Sequence, residues 1–446
     1  MTLKEHFRTN ITLAYPVMLS QMGHILVAVA DSMMVGRLGT VPLASVSLAN
    51  SVFSVIMLFG LGVSYGMTPL IASADGANDK RMGAKFFKHG VYLNSALGVV
   101  LMLVGLVVGQ SLFLLDQDPE VLAGALPYFN TLVFSLVPLM VFQAFRQFAE
   151  GLSMTRQAMY ISVSGNILNV FFNYGLIYGE LGMPELGLIG AGWASLISRV
   201  IMAVAMVVFV MTYKPLRRYV MLWSKIKLRP FVMRRILNIG IPSGLQYIFE
   251  IGAFSMAAVM VGWIGAEALA AHQIALNLSA ITYMIATGIS AAGAIRTGNQ
   301  LGRKDYPTLR TAGMTCFAMA AIMMAFFGAG FIFGNTYLPT WYINEPVVIE
   351  MAGSLLIIAA FFQISDGVQA VGLGVLRGIA DVKVPTYVTL FAYWFMAIPL
   401  GYLFGIYLGW GAKGIWVALL IGLTLAAILH LTRFHVLSKR YILRNR

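Results

Sequence analysis

Charged side chains are scarce in this chain of 446 residues, because Asp, Glu, Lys and Arg together make up only 11% of it. Hydrophobic residues account for 59%, and the mean hydropathy is +0.82. Soluble domains carry about 25% charged residues, so this composition excludes an ordinary soluble protein. The apolar runs reach about 18 residues or more, which is enough for a helix to cross the hydrocarbon of a bilayer.

Cysteine and the common catalytic motifs are also nearly absent. The one cysteine, Cys316, excludes an internal disulfide and a cysteine-based metal cage. The sequence contains no Walker A motif, HExxH or CxxC, so neither ATP hydrolysis nor a familiar metalloprotease or thiol redox chemistry is indicated. We therefore expect a protein that is not an enzyme and uses no cofactor.

The apolar pattern predicts an all-α integral membrane protein with twelve transmembrane helices. The predicted spans are 11–35, 43–70, 89–114, 121–146, 158–178, 188–212, 237–262, 268–295, 311–333, 347–374, 385–407 and 414–436. Basic residues concentrate in the tails and even-numbered loops, whereas the odd-numbered loops hold only Arg37 and Lys413. The positive-inside rule then places both termini in the cytoplasm. It also explains the net charge of +13 without a nucleic-acid partner.

An internal repeat divides the chain into two similar halves. Residues 16–79 align without a gap with residues 242–305, an offset of 226. The matching pairs include Pro16 with Pro242, Gly39 with Gly265, Gly62 with Gly288 and Asp79 with Asp305. Each half contains six predicted spans, so the halves are expected to run parallel and to be related by a pseudo-two-fold axis along the membrane normal.

The repeat predicts three segments along the chain. The N-lobe, with spans 1 to 6, covers 1–213, and the C-lobe, with spans 7 to 12, covers 237–446. A cytoplasmic linker at 214–236 carries eight basic residues and no acidic one, which is typical of a segment lying on anionic lipid.

Three acidic residues fall inside predicted spans beyond the first turn: Asp31, Glu250 and Asp366. Most of the other acidic residues, such as Glu150, are expected in loops, and only Arg199 is a candidate intramembrane cation. An ionisable group in hydrocarbon is costly, so it usually faces a cavity and marks an ion or proton path. Burial favours the protonated form of a carboxyl group, while its oxygens suit a hard cation such as Na⁺. The sequence does not choose between H⁺ and Na⁺.

Span 5 contributes amide side chains to this set. Asn166, Asn169 and Asn173 are spaced by three and four residues, so they share one helix face. Such a stripe often serves only as hydrogen-bond glue between helices. With Asp31, and with Ser195 approaching the same region, it would instead form a carboxylate–amide cation site.

The segment from Val29 to Gly39, followed by Pro42-Leu43-Ala44, resembles the first-span signature of the multidrug and toxic compound extrusion (MATE) family. Val261-Gly262 and Ala270-Ala271-His272-Gln273-Ile274 are similar to its span 7–8 region, and the NorM-like branch fits best. The resemblance implies a monomeric antiporter of the bacterial inner membrane. It would exchange external Na⁺ or H⁺ for cytoplasmic amphipathic, often cationic, drugs and dyes by alternating access.

The resemblance also implies roles for individual residues. Glu250 and Asp366 match the acidic residues of a cation site in the second lobe of NorM-like members. Phe362, one helical turn before Asp366, stands where some relatives have tyrosine, so it would be an aromatic wall of the cavity.

The first lobe offers a second pattern of this kind. Asp31, Asn169 and Asn173 match a first-lobe cation site, and Ser195 stands where relatives often have threonine. Na⁺ could therefore bind at either set. The alternative function is a flippase for lipid-linked oligosaccharides, a related fold expected to present a more cationic cavity than Arg199 alone provides.

Overall fold

The computed structural model describes residues 2–115 and 118–444, which are almost entirely helical and contain no strand. Eleven helices are long and apolar enough to span a membrane. They are Leu3–Gly36, Thr40–Gly76, Lys80–Gln110, Pro119–Gly151, Gly187–Thr212, Pro230–Gly262, Ala266–Arg303, Tyr306–Gly334, Pro346–Gly378, Lys383–Tyr407 and Gly411–Arg444. The twelfth is Thr155–Tyr178, whose three asparagines lower its hydropathy. The predicted all-α fold with twelve spans is confirmed, and the spans are numbered 1 to 12 in chain order.

The helices extend well beyond the apolar runs that predicted them. Span 8, for example, continues to Arg303, although its apolar stretch ends near residue 295. The same effect makes the expectation of a loop at Glu150 wrong, because span 4 continues to Gly151. Glu150 is buried there and accepts a hydrogen bond of 2.7 Å from Nε of Arg146. Arg146 is thus a buried cation within a span, whereas Arg199 is only partly buried.

Repeated glycines form the turn that follows the first span of each half. Gly39 and Gly265 have φ values of +126° and +152°, which strongly favour glycine. Each one immediately precedes the next helix as its N-cap residue. Aligned positions in the two halves therefore specify the same tight connection.

Repeated aspartates begin the third span of each half. The Asp79 carboxylate accepts a hydrogen bond of 2.8 Å from the backbone N–H of Met82, and Asp305 accepts one of 3.1 Å from that of Thr308. Both satisfy a backbone donor that the first helical turn leaves free. These repeated aspartates therefore have a structural role, because each one caps the helix that follows it.

The chain packs into two compact units that exchange the first parts of spans 1 and 7. Residues 1–18 pack with 245–446, and residues 19–244 form the other unit. Each division falls two residues after the internal proline of its span, Pro16 or Pro242. We call 19–244 the N-unit and the remainder the C-unit. The lobe boundaries at 213 and 237 stay a prediction.

Close helix contacts within each unit show this exchange directly. In the N-unit, a Cβ atom on Gly62 of span 2 would lie 2.6 Å from Cα of Gly244 at the start of span 7. In the C-unit, a Cβ atom on the aligned Gly288 of span 8 would lie 2.9 Å from the backbone nitrogen of Met18 in span 1. Only glycine permits such approaches.

Span 10 is the central helix of the C-unit. Its residues Val375 and Leu376 pack in one buried cluster with Cys316 of span 9 and Phe434 of span 12. Cys316 is fully buried, as its position in an apolar span led us to expect.

The basic linker is attached to the N-unit by specific contacts. It contains a short helix, Lys214–Met221, whose Tyr219 packs edge-on against Phe148 at 5.4 Å. Burial raises the pKa of Tyr219 above its usual value. Lys88 of span 3 donates hydrogen bonds of 2.9 and 2.8 Å to the carbonyls of Trp223 and Ile226. The basic side chains of 214–235 are exposed, so the linker presents a positive surface from a fixed backbone.

Candidate ion-coupling sites

Asp31 ends a chain of polar side chains inside the N-unit. The Asn173 amide donates a hydrogen bond to the Asp31 carboxylate and another, of 3.0 Å, to Oδ1 of Asn169. Asn169 in turn donates to Oγ of Ser195 at 3.3 Å. The other three residues of this hydrogen-bonded series are buried, and Asp31 itself is partly buried. The structure therefore brings together all four residues predicted for this site.

The side chains around Asp31 leave oxygen atoms available for a ligand. Oδ1 of Asn173 is buried and has no hydrogen-bond partner in the described part of the chain. Together with the second Asp31 oxygen it offers the hard donors that Na⁺ prefers. A proton on Asp31 would satisfy the same carboxylate, so the geometry fits either ion.

Arg199 does not neutralise Asp31 by direct contact. Its guanidinium donates to Oγ of Ser135 and lies 5.1 Å from the centre of the Phe53 ring. Its charge acts on Asp31 only through space. The carboxylate is thus not locked in an ion pair and is available to a mobile cation.

Glu250 and Asp366 face the same cavity in the C-unit, which has a volume of about 370 Å³. Both carboxyl groups are buried, and Tyr283 lines the same cavity. Oδ1 of Asp366 has no partner among the described residues. No lysine, arginine or histidine lines the cavity. Two negative charges that share one low-dielectric cavity repel each other, so one bound proton or cation stabilises the pair.

Aromatic side chains form much of the cavity wall. Phe362 packs against Phe254 in a T-shaped arrangement, with their ring centroids 6.0 Å apart, and against Trp416 at 5.6 Å. Phe254 and Tyr283 also line the cavity. Aromatic faces attract cations, so this wall and the two carboxyl groups favour a cationic, partly apolar ligand.

Span 11 approaches the cavity through a π-helical segment, Phe391–Ala397. Within it, Nε1 of Trp394 donates a hydrogen bond of 3.0 Å to the carbonyl of Phe249, next to Glu250. The fully buried Tyr393 hydroxyl has no hydrogen-bond partner in the described chain, and the Tyr393 ring lies 6.1 Å from that of the cavity residue Phe254. Isolated π-helical turns are frequent at functional sites because they reorient side chains.

The structure therefore places the predicted residues in two clusters, one within each unit. Sequence reasoning missed Tyr283, Tyr393 and Phe254. Phe254 could have been predicted from the sequence, because it follows Glu250 by four residues and shares its helix face. Tyr283 and Tyr393 come from other spans, and only helix packing reveals them. The roles of both clusters in ion coupling stay predictions.

Comparison with known proteins identifies the family. The MatE family model matches residues 16–175 and 242–403, which are most of the chain and one segment in each half. The chain belongs to the MATE family.

Two relatives extend this match over nearly the whole chain. A probable multidrug resistance protein NorM of Bradyrhizobium diazoefficiens is 31% identical over 444 residues, covering 99% of this MATE protein and 95% of the relative. The multidrug resistance protein NorM of Photobacterium profundum is 30% identical, covering 95% and 93% of the two chains.

Solved structures share the fold at lower sequence identity. A MOP superfamily transporter from Pyrococcus furiosus has a TM-score of 0.89 and 22% identity, covering 98% of this chain and 96% of the other. An outward-facing multidrug resistance MATE family transporter gives a TM-score of 0.90 at 22% identity, with the same coverage. These similarities support the arrangement of twelve helices in two lobes that the MATE family shares.

Proposed function

We propose that this MATE protein is a secondary active multidrug efflux transporter. It exchanges external Na⁺ or H⁺ for cytoplasmic amphipathic, often cationic, drugs by alternating access. The observation that carries the proposal is the C-unit cavity, where Glu250 and Asp366 face an aromatic and apolar space without a basic neighbour. The names of the relatives, multidrug resistance proteins, support the same conclusion.

Exchange follows from competition for the negative charge of this cavity. With both carboxylates ionised, the cavity attracts a cationic drug, and Phe362 and Phe254 accommodate its apolar part. When a proton or Na⁺ binds the carboxylates, the cavity loses that attraction and the drug is released. A ligand shifts such an equilibrium only by its differential affinity for the two states, and here the charge supplies the difference.

The Asp31 cluster gives the N-unit a second candidate site. Its carboxylate and the free oxygen of Asn173 would bind the same coupling ion. Because the repeat aligns Asp31 with Ala257 and Glu250 with His24, each unit would handle the ion with a different set of ligands.

The protein would act in the bacterial inner membrane with both termini in the cytoplasm, in agreement with the distribution of its basic loops. No observation favours the flippase alternative. The cation that would have supported it, Arg199, is engaged by Ser135 and Phe53, and the C-unit cavity is acidic.

Dye efflux from reconstituted vesicles tests the proposal, with Na⁺ and pH gradients imposed separately. We expect efflux with only one of the two gradients, and that gradient identifies the coupling ion. Glu250→Gln and Asp31→Asn should each abolish or strongly reduce efflux, because a neutral amide cannot alternate between charged and neutral forms. Glu267→Gln, at an exposed position outside the cavity, is the matched control and should transport normally. Normal efflux in both of the first two variants would contradict the mechanism.

A further inference from the structure

Buried polar side chains without partners continue along span 10 beyond the cavity. Gln369 lies one helical turn after Asp366 and is fully buried, yet neither atom of its amide has a hydrogen-bond partner in the described chain. Oδ1 of Asp366 lacks one as well. Native proteins rarely leave buried amides unpaired, and bound water is the usual reason for an apparent exception.

His430 of span 12 extends this series. Its ring is fully buried and packs against Gly372, three residues after Gln369 on span 10. A Cβ atom on Gly372 would lie 2.6 Å from Cβ of His430, so a glycine makes room for the histidine against span 10. Nε2 faces the Pro385 carbonyl at 3.4 Å, whereas Nδ1 has no partner among the described residues.

An ion pair marks the exposed end of the series. One turn after His430, Arg433 donates through Nη2 to Oδ1 of Asp381 at 2.9 Å. The two side chains are 31% and 20% exposed, and the Asp381 charge acts on His430. The polar groups therefore follow consecutive helical turns from the buried cavity to a solvent-accessible surface of the same unit.

We propose that Gln369 and His430 line a track of bound water through which protons pass between Asp366 and the Asp381–Arg433 surface. This inference rests on the proposed function and specifies its proton-coupled form. In each transfer the Asp366 carboxyl gives up one proton, each water accepts one proton and donates another, and one proton reaches solvent. Glutamine suits such a track because its amide both donates and accepts hydrogen bonds, and histidine does so through its two nitrogens.

Cysteine labelling tests the water directly and needs no transport measurement. In a Cys316→Ala background, Gln369→Cys should react with a small, membrane-impermeant ammonium thiosulfonate in open vesicles several-fold faster than Ala359→Cys. Ala359 is the matched control, since it is fully buried on the same helix within an apolar cluster. Equally slow labelling at both positions would show that the region is dry and would overturn the proposal.

A second pair of variants distinguishes a track that carries protons from an unpaired amide in a dry core. Gln369→Leu should slow proton uptake during drug efflux by about tenfold or more, the scale of a lost proton-transfer group, with unchanged drug binding. If the amide merely sits in a dry core, leucine should leave transport intact and keep or raise the thermal stability. That outcome would refute the track. Gln246→Leu is the control, because Gln246 is equally buried but donates a hydrogen bond of 2.9 Å to Thr386.

The two proposals fail in different ways. Efflux that survives Asp366→Asn would contradict the proposed function at this cavity. Efflux that is lost in Asp366→Asn but normal in Gln369→Leu and His430→Phe would leave the proposed function intact and remove only the track. Efflux driven solely by Na⁺, with no proton movement, would also remove it.

Discussion

The ion pair of Arg146 and Glu150 tests how much a buried charge costs in unfolding free energy when its partner is removed. The two side chains are only 5% and 4% exposed, and they lie four residues apart on span 4. On an exposed helix surface such a pair would contribute about 0.3–0.5 kcal/mol. Here Glu150→Gln leaves a buried guanidinium without its counter-charge, and the expected loss is about 3–5 kcal/mol of unfolding free energy.

Removing both charges should have a much smaller effect than removing one. Arg146→Met combined with Glu150→Leu takes away the desolvation penalty together with the attraction, so the double variant should be close to the parent or more stable. Unfolding titrations in mixed micelles measure each variant. Asp381→Asn, at the partly exposed pair with Arg433, is the control and should cost about 1 kcal/mol or less. A Glu150→Gln loss as small as this control, or a double variant as unstable as the single one, would refute the reasoning.

Two further variants test packing and linker attachment. Gly374→Val should lower the unfolding free energy by about 1–3 kcal/mol, because its Cβ atom would lie 2.2 Å from the Ser290 carbonyl oxygen and force spans 8 and 10 apart. Gly330→Val, which faces open space, is its control in the same titration, and equal losses would exclude a packing effect. Lys88→Met should make the linker more sensitive to limited proteolysis, because two linker carbonyls lose their hydrogen bonds. The exposed Lys80→Met should not, and an unchanged cleavage rate for Lys88→Met would show that the linker is fixed by other contacts.

Much of the fold could be predicted because hydropathy and helix periodicity are local properties. A span needs only a continuous apolar run, and the repeated glycines and aspartates specify turns through their own backbone and side-chain chemistry. The cluster around Asp31 was accessible for the same reason, since Asn169 and Asn173 share a helix face and only one carboxyl group in that half was unexplained.

The remaining features depend on which helices pack together, and the sequence pattern does not encode that. Tyr283 of span 8 lines the same cavity as Glu250, and the π-helical segment that positions Tyr393 has no recognisable sequence signal. Glu150 was misplaced because an apolar run marks where the hydrocarbon ends, whereas the helix continues past it. The unpaired amide of Gln369 likewise became informative only once its burial was known.

The exchange of the first parts of spans 1 and 7 has a consequence for the order of folding. Asn10 is fully buried in the C-unit, where it donates a hydrogen bond of 2.9 Å to Thr315 and accepts one of 2.9 Å from Arg296. Asn10 and Thr315 are 305 residues apart in the chain. At a synthesis rate of ~5–20 residues per second, Thr315 is made about 15–60 s after Asn10. The beginning of span 1 thus reaches its native contacts only after span 9 has been made, and the C-unit is completed only after both halves have been synthesised.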